Sequence, residues 1–277
     1  MRNFIRRLLT GIVYVGTITM AVIGSPYAFL VLFMIIIAFC LLEFYRMITI
    51  HGNTKINLYI HGLGGALLFL TVFLYVSGIT GRAVFSLYLL YIIGTLIYEL
   101  YAKQKDPIAR LAAVFFGQVY IALPITGLNL LAFRDYGTNP PVYQSIWVMA
   151  LFLFIWANDT GAYLFGVRFG KHRLWERISP KKSWEGFFGG LGITLIVAFL
   201  FIHFYPQIES YHWIALSVGV VIAGTYGDLL ESLIKRAVEV KDSGNSLPGH
   251  GGFLDRFDSL LLAVYAMLLY MQLFIRN

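Results

Sequence analysis

Cysteine occurs once in the 277 residues, at Cys40, so no disulfide can form within the chain. It lies inside an apolar run, where a lone thiol reads as a small packed hydrophobe. Charge is scarce too. Asp, Glu, Lys and Arg make up 13% of the residues beside 59% hydrophobic content, against roughly 25% charged in a soluble domain. There is no low-complexity tract and no clear internal repeat, and the longest polar loop is only about twenty residues. These absences exclude a soluble globular protein, a disulfide scaffold and a separate water-exposed domain. Acidic residues are the scarcest charged class, 14 against 21 Lys and Arg, and nothing in the pattern points to nucleic acid.

What the chain has instead is apolar segments of bilayer-spanning length, on the order of 17 to 25 residues. They fall at about 8–24, 27–48, 58–77, 83–101, 111–131, 144–165, 187–205, 212–234 and 256–274. The expected fold class is all-α: a polytopic integral membrane protein of about nine transmembrane helices. Arg2, Arg6 and Arg7 before the first apolar run also fit a cleaved signal peptide. Pro26, leading straight into another span, favours an uncleaved first helix. With the N-terminus in the cytoplasm, 18 Lys and Arg fall on the inner side; the outer side holds Arg82, Arg134 and Arg276. The organisation expected is an N-terminal region of four spans, residues 1–110, and a catalytic region of five spans with cytoplasmic loops, residues 111–277.

Six of the fourteen acidic residues lie in one stretch, Asp228 to Asp258. Asp228, Glu231, Ser232 and Lys235 follow helical spacing and share one face. Asp255 and Asp258 stand one turn apart at the start of another helix. Between them Ser243, Gly244, Asn245, Pro248, Gly249, Gly251 and Gly252 predict a loop. Three carboxylates beside Lys and Arg suit a hard divalent cation that holds a phosphate, and the glycines let backbone N–H groups approach that phosphate. The plainer alternative is a solvated hairpin between two spans.

A second polar block runs from residue 156 to 190. Asn158 and Asp159 fall inside an apolar helix, where a carboxylate costs roughly 2.5 to 3.5 kcal/mol near the bilayer centre; a polar cavity or a pairing with a neighbouring helix would account for it. Ser179, Pro180, Lys181, Lys182 and Ser183 read as a turn leading into a helix N-terminus, either an anion site or a loop that only fixes topology. His250 is open between a metal or phosphate contact and a backbone hydrogen bond. Glu43 and Glu99, at the cytoplasmic ends of spans two and four, are expected at the exposed interface.

Together these residues suggest metal-assisted phosphate chemistry on a lipid, with a soluble nucleotide as co-substrate. The rivals are a CTP-dependent kinase of a lipid alcohol and a cation transporter lined by Asp159, Asp228 and Asp255.

Residues 232–258, S-L-I-K-R-A-V-E-V-K-D-S-G-N-S-L-P-G-H-G-G-F-L-D-R-F-D, resemble the signature of the phosphatidate cytidylyltransferase (CDP-diacylglycerol synthase) family. The matching positions are Ser232, Lys235, Arg236, Lys241, Asp242, Pro248, His250, Gly251, Gly252, Asp255, Arg256 and Asp258. The block from Asp159 to Tyr163 and from Ser179 to Gly186 is also similar, with Ser183 where the family more often has Thr. The likeness is good from about residue 110 onward.

The resemblance implies that CTP and phosphatidic acid give CDP-diacylglycerol and pyrophosphate. Mg²⁺ would be required, with a second cation left open. It implies Asp228, Asp255 and Asp258 around the metal, with Lys235 and Ser232 beside them on phosphate. Lys181, Lys182, Arg236, Lys241 and Arg256 are candidates for the triphosphate or the lipid phosphate; Asp159, Ser179 and His250 complete the substrate-binding set. It also implies a bacterial inner membrane with the site facing the cytoplasm. Acyl-chain preference and oligomeric state, a homodimer included, are not legible.

Overall fold

The computed structural model describes residues 2–51, 55–103, 106–134, 141–244, 246 and 251–275, with side chains from residue 10 onward apart from that of residue 51. Two compact units are formed, residues 1–145 with 238–256, and residues 146–237 with 257–277. Eight of the helical segments are long and apolar enough to cross a membrane, from Pro26–Ile50 to Leu254–Phe274. The first helix contributes a shorter apolar stretch, Thr10–Gly24. The all-α membrane reading is therefore met.

The first unit contains α1 (Arg2–Gly24), α2 (Pro26–His51), α3 (Leu58–Val76), α4 (Phe85–Tyr101), α5 (Pro107–Gly117) and α6 (Leu123–Ala132). Local chemistry sets the helix starts. Ser25 Oγ accepts from Ala28 N at 3.0 Å, Pro26 begins α2 where its missing N–H is no loss, and Asn57 caps α3 by accepting from Ile60 N. The core is aromatic where α2 meets α3, with the Phe29 ring 4.9 Å from Phe33 and 5.6 Å from Phe69. Between α5 and α6 the chain makes a π-helical turn, Gln118–Ala122. There Gln118 Nε2 donates to Tyr45 Oη and to the His61 carbonyl, at 3.1 and 2.8 Å.

Glu43 and Glu99 depart from the expected interfacial exposure. Glu43 is 4% exposed. Glu99 is largely covered and pairs with the buried Arg110. Both lie where a carboxyl group meets donors that hydropathy cannot reveal.

The second unit contains α7 (Ser145–Phe169), α8 (Trp184–Phe204), α9 (Ser210–Ala237) and most of α10 (Leu254–Phe274). Trp213 is fully buried there, stacked on Trp147 at 5.3 Å and Phe201 at 4.8 Å. Close packing comes from small residues, as in other membrane helix pairs. A Cβ at Gly161 in α7 would lie 2.7 Å from the Gly189 carbonyl oxygen in α8, and one at Gly227 in α9 would lie 2.6 Å from the Asp258 carbonyl oxygen in α10. The basic loop read as a turn is instead a hairpin: β1 (Arg173–Trp175) pairs antiparallel with β2 (Ser179–Ser183).

Candidate active site

Within the second unit, three helices and one strand bring polar side chains together. Asp228 lies in α9, half-buried, and its two carboxyl oxygens have different partners. Lys182 Nζ of β2 meets Oδ2 at 2.5 Å, while Ser232 Oγ, one turn along α9, donates to Oδ1 at 3.3 Å. The hairpin is what delivers Lys182. Its strand runs directly into α8, where Ser183 Oγ accepts from Gly186 N at 3.1 Å and closes the helix N-terminus. At the same open end of the hairpin, where Arg173 pairs with Ser183, Glu185 accepts from His172 N and lies 2.6 Å from His172 Nδ1. Both contacts brace the junction of β2 with α8, next to Lys182.

Asp258, in the second turn of α10, has Asp228, Glu231 and Asp159 as its electrostatic neighbours. This gathers one carboxyl group from α7, two from α9 and one from α10. Two lysines stand among them, Lys182 on Asp228 and Lys235 on Glu231, the latter pair at 2.6 Å and almost wholly buried. The role of Glu231 was missed in the sequence, although its spacing of four from Lys235 is that of a helical ion pair. Asp159 is exposed on α7.

Other candidates lie on β2, at the end of α9 and in the first unit. Lys181 is exposed and Ser179 half-buried on β2; Arg236, at the end of α9, is exposed. In the first unit, Lys241 and Arg256 are exposed. Asp255 accepts from Ser243 N at 3.1 Å and from Gly252 N at 2.8 Å, so it ties the two arms of the glycine-rich loop together. His250 lies outside the described residues, as do Asn245, Pro248 and Gly249.

Among the described residues no three side chains of His, Cys, Asp or Glu converge closely enough to enclose a metal ion by themselves. A cage of that kind is not what Mg²⁺ requires. It takes one or two carboxylates and completes its octahedron with water and substrate phosphate. Asp228 and Asp258, with Asp159 and Glu231 nearby, are a donor set of that chemistry.

Comparison with known proteins bears on what such a set does. A model described as the cytidylyltransferase family matches residues 5–274. A phosphatidate cytidylyltransferase of Haemophilus influenzae is 40% identical over 165 residues, 58% of this chain and 56% of that protein. One of Staphylococcus aureus (strain COL) is 49% identical over 120 residues, 43% of this chain and 46% of its own length. One of Staphylococcus epidermidis is 47% identical over 120 residues, with the same coverage of each chain. The chain spans about half the length of these curated relatives.

Proposed function

Matched by its family model over nearly all its length, the chain belongs to the cytidylyltransferase family, and from that premise we propose that it converts CTP and phosphatidic acid to CDP-diacylglycerol and pyrophosphate. The observation that carries the reading is the gathering of Lys182, Asp228, Ser232 and Asp258 in a unit built of apolar helices. Cations and hydroxyls beside carboxyl groups at the edge of membrane spans suit a phosphate-bearing nucleotide and a phosphate-bearing lipid. The named relatives carry the same activity in their names.

In this reaction an oxygen of the phosphatidate phosphate forms a bond to the α-phosphorus of CTP. The bond from that phosphorus to the oxygen bridging to the β-phosphate breaks, and pyrophosphate leaves with the electron pair. The nucleophile is already an anion, so no side chain need remove a proton. The chain's contribution is to position two polyanions and to offset their repulsion. Lys182, fixed by Asp228, and Lys181 beside it on β2 supply positive charge to the phosphates. Ser232, oriented by Asp228, offers its hydroxyl. Lys235, matched by Glu231, stiffens the face of α9 that carries them. Mg²⁺ held by Asp228 and Asp258 would offset the charge that grows on the pyrophosphate. Asp255 holds the glycine-rich loop, whose backbone N–H groups and flanking Lys241 and Arg256 suit a phosphate.

The eighteen-to-three distribution of Lys and Arg supports a cytoplasm-facing site, and the bacterial relatives support a bacterial inner membrane. The test is pyrophosphate release by the detergent-purified protein with CTP, phosphatidic acid and Mg²⁺. Lipid-dependent release that disappears in Asp228→Asn is expected. CDP released together with a phosphorylated lipid alcohol would transfer the chain to the kinase reading.

A further inference from the structure

Glu43 sits in the last third of α2, far in sequence from the residues assigned above, and is among the most buried charged-type side chains described. Its Oε2 accepts from Ser243 Oγ at 3.2 Å and from Leu254 N at 3.1 Å, across 200 and 211 residues. Ser243 and Leu254 are themselves buried. Ser243 is thus held twice, its hydroxyl by Glu43 and its backbone N–H by Asp255. Leu254 is the first residue of α10, so its N–H is one that no helical carbonyl can satisfy.

The glycines of the loop have a second use here. A Cβ at Gly244 would lie 2.9 Å from the Glu43 carboxyl carbon, and one at Gly252 would meet Ser243 Oγ and Glu43 Oε2 at closer range still. The two arms of the loop are therefore without side chains where Glu43 comes between them.

We infer that Glu43 is a positioning residue for the glycine-rich loop: its carboxyl group joins the incoming arm, at Ser243, to the start of α10, at Leu254, and thereby fixes Asp255. The inference deepens the proposed function and rests on it for the turnover measurement alone. Charge is not what the role needs. An acceptor oxygen at the right reach is, because both donors approach a single oxygen.

The test compares Glu43→Gln, which keeps an acceptor at that reach, with Glu43→Met, which keeps the volume and removes it, in the full-length protein in nanodiscs. Hydrogen exchange over residues 242–254 and turnover of CTP with phosphatidic acid are both measured. Glu43→Gln should stay within about threefold of the parent in both. Glu43→Met should exchange about 10- to 100-fold faster in that segment and lose turnover by a similar factor, with α3 unaffected, since two buried donors lose their acceptor. Parent-like exchange in Glu43→Met, or equal losses in the Gln and Met variants, would overturn the inference. Absence of turnover in the parent protein would sink the proposed function and leave the exchange comparison to decide on Glu43. Should Glu43→Met fail to fold, Ser243→Ala serves: faster exchange at residues 251–254 is expected, and an unchanged rate there would count against the role.

Discussion

Asp228 has one oxygen on a lysine and the other on a serine, so the three side chains form a unit whose removal is not additive. Lys182→Ala and Asp228→Asn should each lower kcat/KM by about 100-fold or more, and the double variant should be little worse than either, measured by a double-mutant cycle on pyrophosphate release. Lys181→Ala, one residue away but exposed, should raise KM for CTP or phosphatidic acid and leave kcat nearly unchanged. Residues one helical turn apart were legible in the sequence, which is why Asp228 with Ser232 could be read from spacing alone. Lys182 with Asp228 could not, because nothing in a basic loop states which carboxyl group it will meet. Lys235 was expected beside phosphate from the family resemblance, and its pairing with Glu231, four residues earlier on the same face, was not drawn from that spacing. Glu43 was misread for a related reason: a carboxyl group near a helix end looks interfacial until its donors, some 200 residues on, are placed beside it.

At the level of elements, the long helices were predictable because lipid selects apolar runs of fixed length, and their limits agree with the hydropathy reading to within a few residues. The hairpin was not. Arg173–Trp175 and Ser179–Ser183 are short and carry no alternation of apolar and polar residues, so their pairing comes from the braces at Ser183 and Glu185 rather than from a pattern. Ser183→Ala should cost about 1 kcal/mol through the lost cap, read as a lower thermal midpoint in detergent, and Ser183→Thr should restore it. A stronger effect belongs to Gly227. Its added Cβ would lie 2.6 Å from the Asp258 carbonyl oxygen, so Gly227→Ala must separate α9 from α10. It should destabilise the protein by roughly 1 to 3 kcal/mol and reduce turnover further than that loss of folded protein explains.

For the molecule as a whole, orientation is the property most readable from composition and least dependent on side-chain detail. With Cys40→Ser as a cysteine-free background, Lys171→Cys should react with an impermeant thiol reagent only from the cytoplasmic side of inverted vesicles, and Arg82→Cys only from the opposite side. The reverse pattern would place the site outside the cytoplasm and remove its access to CTP. The order in which the chain visits its two units was not legible, since no composition boundary marks residues 145, 238 or 256. That order bears on biosynthesis. At about 5 to 20 residues per second, a ribosome that has just added Glu43 needs roughly 10 to 40 s to reach Leu254, 211 residues later. Until then a carboxyl group waits in a nascent span for donors that have not been made, and the first unit cannot close before most of the second has been synthesised.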